Sequence, residues 1–343
     1  MEFNESRSIE SNVVPELDEA SVAQDEGLQR IALAAWLRHE METEGCGPSP
    51  VDVHPKYSTP LPLPPLSWTN YHRTPCLMKV TNTGSTVIVS AKWMTERPYL
   101  LGGPFRGSYV FSQIHFHWGA GNGEGAEHSM MGESFPFEMH VAHFKTTYKN
   151  QERALREADG TAIVGYLFML DSEDNTDLNP ILRALPHVKE PRTSIDLPPM
   201  ALASVGVKAF EDDYFFYYGS KEVSNQHCPV MWIIWPNPLR ISSSQVCLFR
   251  EILSKSGDAI ERNFRPPRLA EESKCMYFIY GGPIIPEIAM SDEKERRRRR
   301  SQSRRKAKDS IASPKMRPGA EAKQIGEKSP SEGEMALGGE LSR

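Results

Sequence analysis

Long hydrophobic runs are missing from this sequence, and none of its apolar stretches is long enough to cross a lipid bilayer. Its first residues, MEFNESRSIE, have no basic start followed by an apolar stretch, so no secretory signal is visible. Cysteine is scarce too: the chain has 5, which form no CxxC pair and no dense framework. These absences argue against a membrane span and a disulfide scaffold, and they favour a reduced, cytoplasmic protein.

No charge of one sign dominates the chain. Lysine and arginine number 40 against 45 aspartates and glutamates, so the formal net charge is −5. This balance excludes a global attraction to nucleic acid or to an anionic membrane. Hydrophobic residues make up 39% of the chain and charged residues 25%, as in a globular protein with polar tails. No internal repeat is present.

The composition changes twice along the chain. Residues 1–45 are acid-rich and are predicted to be a mostly disordered extension with one short helical stretch near Leu28–Arg38. Residues 46–285 are predicted to form one domain. Residues 286–343 have mixed charge and no apolar period, so we expect a disordered tail. The arginine run Arg296–Arg300 could serve as a nuclear address, but acidic neighbours and the lack of interleaved aromatics favour a solvated tail, and nucleic acid is not expected as a partner.

The central region has the pattern of a mainly β protein. Short segments rich in β-branched and aromatic residues alternate with turn signals; they are KVTNTGSTVIVS, YVFSQIHFHWG, FEMHVAHFKT, AIVGYLFML, DYFFYYGS and VMWIIW. The segment LNPILRALPHV has helical spacing instead. The proline-rich stretch YSTPLPLPPLSW cannot be a central strand.

Two of these predicted strands carry a candidate metal site. In FSQIHFHW, residues two apart point the same way, so Gln113, His115 and His117 share one face of the strand. The other face carries Ile114, Phe116 and Trp118. In FEMHVAHF, Glu138 and His140 share a face. If the strands are neighbours, three imidazoles converge and leave a fourth tetrahedral position open, which is typical of catalytic zinc.

Polar partners for two of these histidines are present in the same pattern. Ligating histidines usually donate their second N–H to a carboxylate, an amide or a carbonyl, and Gln113 is placed to hold His115 while Glu138 is placed to hold His140. The alternative is that all of these are ordinary strand histidines. An isolated HxH pattern favours that alternative. The metal site is favoured here because His140, Glu138 and Gln113 also fall on the matching faces of their strands.

The motifs SQIHFHWG, the pair Glu127–His128 and FPFEMHVAHF resemble the signature of the α-carbonic anhydrase family. Weaker likenesses are PSPVDV, TNTGST, AIVGYLFML, YYGS, MWIIW and NFRPP, so the resemblance covers roughly residues 46–285. It implies a mainly β (α+β) single domain with a large twisted, mostly antiparallel sheet and short peripheral helices. It also implies bound zinc and the reversible hydration of carbon dioxide to bicarbonate, with no protein partner indicated.

The resemblance implies further roles by position. The backbone carbonyl of Asn263 would orient His117. A buried polar cluster would consist of Glu138, His128 and Tyr217. The wall of the active-site cleft would include Ala142, Ile163 and Trp232.

The sequence departs from the family pattern at the gate beside the metal. Active members carry a threonine there, whose hydroxyl accepts from the zinc-bound species and donates to the carboxylate that is Glu127 here. An ungapped comparison puts Glu222 at that position, with Lys221 replacing an apolar wall residue. An ionised carboxylate only accepts, so Glu222 is predicted to displace the zinc water or to take its proton without passing it on. A local misalignment that makes Ser224 the gate is the alternative.

Other departures also bear on activity. Ser85 falls where the fastest members carry a proton-shuttling histidine, so proton export is expected to be slow. Secreted members often join two cysteines near the places of Cys46 and Cys228, but reduced thiols are favoured here. Two functions remain open: a zinc enzyme of reduced rate, or a zinc-retaining, catalytically weak carbonic-anhydrase-related protein that acts by binding.

Overall fold

The computed structural model describes residues 46–278, except residues 62, 64, 212, 224, 225 and 269–275. The predicted extension of residues 1–45 and the predicted tail of residues 286–343 lie outside this range. Within it, no helix is both long and apolar enough to span a membrane.

Strands dominate the described part of the chain, and most of them form one sheet of 12 strands. In chain order they are β1 Asp52–Val53, β2 Thr59–Leu61, β3 Leu66–Thr69, β4 Leu77–Asn82, β5 Val87–Lys92, β6 Tyr99–Gly102, β7 Tyr109–Trp118, β8 Ser129–Met130, β9 Phe137–Lys145, β10 Thr161–Asp171, β11 Ser194–Leu197, β12 Tyr214–Val223, β13 Gln226–Ser242 and β14 Met276–Phe278. The main path through the sheet is β11-β4-β5-β7-β9-β10-β13-β12-β14-β2. Strand β6 pairs with β7, β3 pairs with β6, and β1 pairs with β8 in a separate sheet.

Most neighbouring strands of the large sheet are antiparallel, while β10–β13 and β14–β2 are parallel. The strands predicted from the β-rich segments are confirmed, and so is the large, mainly β architecture. The proline-rich stretch contributes β2 at the end of the path and β3, whose one pairing among the described strands is with β6. Proline has no N–H to donate to a ladder, which is why these strands stay out of the sheet centre.

The helices are short and lie between strands. They are α1 Gln151–Ala154, α2 Asn179–Ala184 and α3 Ser243–Arg250, with 3₁₀ turns at Pro55–Tyr57, Thr146–Tyr148, Thr176–Leu178, Leu185–Val188 and Leu202–Val205. The helical spacing in LNPILRALPHV is confirmed by α2 and the turn that follows it. Helix α3 begins with a capping box, in which Ser242 and Gln245 each accept from the backbone N–H of the other.

The two faces of the sheet carry different apolar clusters because side chains alternate along each strand. One face holds the main core, which includes Ile114, Phe116, Val141 and Ile233. The opposite face holds a smaller cluster, the cleft-side cluster, made of Val51, Val53, Ala126, Met130, Phe135, Ala142, Ile163, Leu167, Phe215, Tyr217, Val230, Trp232 and Ile234. The polar residues of the candidate site lie on this second face.

A β-bulge determines which residues of β7 face the same side as His115 and His117. Phe111 pairs with His143 and Gln113 with Ala142, so Ser112 is the extra residue on β7. In a regular strand, residues two apart share a face, so without the bulge Phe111 would lie on the same face as Gln113. The bulge keeps Phe111 in the main core and turns the following alternate residues, including His115 and His117, to the cleft face.

Candidate metal centre

Antiparallel pairing of β7 with β9 brings the predicted histidines together. His115 lies directly opposite His140, and His117 lies opposite Glu138. Opposed residues in an antiparallel pair point to the same face, so the three imidazoles converge. All three side chains are buried, with exposed fractions of 3% for His115, 8% for His117 and 0% for His140. Their possible ligand atoms lie within 4.8 Å of one another.

Hydrogen bonds decide which nitrogen of each ring faces the centre. The Nδ1–H of His117 donates to the backbone oxygen of Asn263 at 2.9 Å, so its Nε2 carries the free lone pair. That buried Nε2 has no hydrogen-bond partner among the described residues. The Nε2–H of His140 donates to Glu138 Oε1 at 2.6 Å, which leaves Nδ1 for the centre. His140 Nδ1 lies 3.2 Å from His115 Nε2.

This donor set fits zinc. Two nitrogens bound tetrahedrally at the usual Zn–N length are about 3.3 Å apart, close to the 3.2 Å between His140 Nδ1 and His115 Nε2. Burial lowers the pKa of His115 well below its usual range, and Lys221 adds to this effect. Burial also lowers the pKa of His117, against the opposing charge of Glu127, and it lowers the pKa of His140 to about 4. The rings are therefore neutral near pH 7, as metal ligation requires.

The carboxylate of Glu138 anchors the back of the site. It is fully buried and accepts from the backbone N–H of His128 at 2.8 Å and from His128 Nδ1 at 2.7 Å, besides His140. Burial raises the pKa of Glu138, but His128 and His140 outweigh burial and hold that pKa well below its usual range. The Tyr217 hydroxyl lies 2.6 Å from His128 Nε2. A second group of possible ligands, His128, Glu138 and His140, is thus occupied by its own hydrogen bonds.

Lys221 reaches the converging nitrogens from β12. Tyr217 pairs with Trp232 and Lys221 pairs with Cys228, so Tyr217 and Lys221 lie on the cleft face of the strand. The Nζ of Lys221 contacts His115 Nε2 directly. Burial lowers the pKa of Lys221 to about 8, so most of this side chain remains protonated at pH 7.

Glu127 forms a two-pronged ion pair with Arg265. Its two oxygens accept from Arg265 Nε at 2.8 Å and from Arg265 Nη2 at 3.0 Å. Glu127 is only 3% exposed, and its Oε1 lies 3.8 Å from His117 Nδ1. Burial raises the pKa of Glu127, but His117 and Arg265 outweigh it and keep the pKa well below its usual range. A carboxylate in this state is a fixed negative charge beside the histidines.

Comparison with known proteins identifies the family. The family model for eukaryotic-type carbonic anhydrases matches residues 32–277, which is more than half of the chain. This chain belongs to that family. It is similar to carbonic anhydrase 7 of Mus musculus, with 33% identity over 200 residues, covering 56% of this chain and 73% of the mouse protein. It is also similar to carbonic anhydrase 3 of Sus scrofa, with 28% identity over 236 residues, covering 66% of this chain and 86% of the pig protein.

The structure places Glu222 away from the position that the sequence comparison predicts for it. Glu222 is exposed and pairs with His227. It follows Lys221, which is the residue that faces the histidines. Adjacent residues of a strand point to opposite faces, so Glu222 cannot occupy the gate while Lys221 contacts His115. Lys221, predicted only as a wall residue, takes that place instead. Ser224, the alternative gate residue, lies outside the described residues.

The expected contact between Gln113 and His115 is absent. Gln113 is half-buried and on the correct strand, but His115 Nδ1 has no hydrogen-bond partner in the part of the chain that the structure describes. Strand alternation determines which face a side chain occupies, but the side-chain rotamer decides whether its amide reaches the ring.

The three residues predicted to form the cleft wall are buried on the cleft face of the sheet. Ala142, Ile163 and Trp232 belong to the cleft-side cluster, and the Trp232 ring lies 4.9 Å from the His140 ring between centroids. Ser85 is exposed in the turn between β4 and β5, and its backbone oxygen accepts from Asn263 Nδ2 at 3.1 Å. Cys46 carries a free thiol, so no disulfide joins it to Cys228, and both lie in the described part of the chain.

Two site residues were not singled out from the sequence. Arg265 was part of the NFRPP motif without an assigned role, and its pairing with Glu127 spans 138 positions. Gly165 lies opposite His140 on β10, and a Cβ built there would lie 2.9 Å from Glu138 Oε1. A glycine within an otherwise β-branched and aromatic strand is a signal of close approach that could have identified this position.

We expect Gly165→Ala to destabilise the fold by about 1–3 kcal/mol, because the added methyl group would also lie 2.8 Å from Ile234 Cδ1 in a packed region. The Glu138 carboxylate must shift to make room, so zinc affinity is expected to fall as well. Chemical denaturation with metal-free and zinc-loaded protein measures both effects. Gly121→Ala is the matched control, since none of the described atoms would lie within 4 Å of its added methyl group. Equal stability of the two variants would contradict this prediction.

Proposed function

We propose that this protein holds zinc on His115 Nε2, His117 Nε2 and His140 Nδ1 and hydrates carbon dioxide to bicarbonate at a reduced rate. The observation that carries the proposal is the convergence of three buried, neutral imidazole nitrogens, two of whose rings are oriented by Asn263 and Glu138. Bound zinc supplies a Lewis acid that lowers the pKa of a water molecule toward neutrality.

Residues of the chain would orient the ligands and supply charge beside the metal. Glu138 and the Asn263 carbonyl orient two of the rings, and Ala142, Ile163 and Trp232 form buried apolar packing on the same face of the sheet. Glu127 is proposed to hold a negative charge beside His117, with Arg265 as its positioning residue. Ser85 at the rim does not titrate near neutral pH, so proton export would rely on buffer and solvent.

The proposed reduction in rate rests on the gate. An ammonium group donates only, whereas the threonine of active relatives both accepts and donates. Lys221 therefore cannot relay a proton toward Glu127, and Arg265 already occupies both oxygens of Glu127. Losing one oriented group at a reacting centre typically costs about 10²–10³ in rate.

A stopped-flow hydration assay on protein with measured zinc content tests this proposal. We expect turnover that is proportional to bound zinc and above the uncatalysed rate, but below that of relatives with a threonine gate measured in parallel. Protein that takes up no zinc, or zinc-loaded protein as fast as those relatives, would contradict the proposal.

The second candidate function is binding without efficient catalysis. The contact of Lys221 with His115 favours it, because a cation then lies where substrate chemistry would occur. Stoichiometric zinc with no measurable hydration, even at high concentrations of external buffer, would decide for this candidate.

A further inference from the structure

The contact between Lys221 and His115 involves the atom that the metal needs. A protonated lysine has three donors and no acceptor, so His115 Nε2 must accept through its lone pair. The same Nε2 lies 3.2 Å from His140 Nδ1 and belongs to the converging set. One lone pair cannot serve a lysine N–H and a zinc ion at once.

We propose that Lys221 is a built-in competitor of the metal, whose ammonium must leave His115 Nε2 before zinc can bind all three histidines. This inference rests on the proposed function, since it concerns the same site. It makes zinc occupancy an exchange between two cations, so the protein would hold zinc more weakly than its histidine set alone would allow.

Electrostatics and geometry both support the exchange. Two carboxylates lie near the site: Glu127, which is paired with Arg265, and Glu138, which accepts from His128 and His140. Their negative charge attracts a cation, and Lys221 supplies one from within the chain. When zinc is present, the ammonium and the ion repel each other at close range. The Lys221 side chain is half-buried at the outer part of β12 and has a flexible four-carbon stem, so it can swing toward solvent.

Zinc affinity, measured by competition with a chromogenic chelator, tests the proposal without reference to activity. Lys221→Met keeps an unbranched apolar stem that is slightly shorter than that of lysine, and it removes the ammonium. We expect it to bind zinc at least about tenfold more tightly than wild type, within the range seen when groups around a metal site change. The matched control is Lys92→Met at the exposed end of β5, which should bind zinc like wild type.

Two further measurements separate the possible failures. The double variant Lys221→Met/His140→Ala should lose the gained affinity, and if it keeps that affinity, the tight zinc lies elsewhere and the proposal is overturned. Equal affinity of wild type and Lys221→Met would also overturn it while leaving the zinc site intact. Absence of zinc binding in wild type and in Lys221→Met alike would overturn the proposed function as well. Lys221→Leu repeats the test with a shorter apolar side chain.

Discussion

His140→Ala is expected to abolish stoichiometric zinc binding, with a loss of affinity greater than about 100-fold. Changing a partner of a ligand typically costs about 10–100-fold, and removing a ligand itself should cost more. The variant leaves only His115 Nε2 and His117 Nε2, which cannot complete a three-nitrogen zinc site. Metal analysis after extensive dialysis against weak chelator should find about one zinc per wild-type chain and almost none in the variant.

A histidine on the same strand provides the control for this prediction. His143 is also buried on β9 but lies on the opposite face, where its Nε2 is 2.5 Å from the Tyr71 hydroxyl. His143→Ala should lose stability, by about 1–3 kcal/mol for the unpaired buried hydroxyl, yet retain zinc. Retention of zinc by His140→Ala, or its loss from a folded His143→Ala, would show that the ligand assignment is wrong.

Lys221→Thr is expected to raise hydration per bound zinc by at least about tenfold, a part of the roughly 10²–10³ that one oriented group contributes. The substitution removes the ammonium from His115 and places a hydroxyl, which can accept and donate, on the face that carries the histidines. Stopped-flow hydration at matched zinc content measures the gain and separates it from any change in zinc affinity.

The neighbouring substitution distinguishes the two possible gates. Glu222→Thr should change hydration by less than about twofold, as expected for an exposed side chain on the opposite face of β12 from Lys221. A large gain from Glu222→Thr with none from Lys221→Thr would restore Glu222 as the gate and contradict the pairing of β12 with β13. No gain from either variant would indicate that the gate does not limit the rate.

Local periodicity was enough to predict much of the metal centre. His115, His117, Glu138 and His140 were grouped by strand alternation alone, since residues two apart share a face whatever the fold around them. The predicted strands and the helical segment were also visible, because β-branched runs and helical spacing are local signals. Strand alternation does not show that β7 and β9 are neighbours in the sheet. The resemblance to the family implies this pairing.

The pairing of segments that are distant in the sequence determines which residues stand beside the histidines. Which of Lys221 and Glu222 faces the histidines depends on the register of β12 against β13, and a shift of one residue exchanges the two faces. An ungapped comparison counts positions and cannot detect such a shift. The pairing of Arg265 with Glu127 likewise joins distant segments, and no local pattern reports it.

The sequence by itself therefore determined the candidate ligands and their common face, because these follow from the two-residue repeat of a strand. Only the tertiary structure decided that Lys221, and not Glu222, contacts His115 and that Arg265 pairs with Glu127. Those neighbours come from strand register and from contacts between remote segments, whose geometry is set by the packing of the whole sheet.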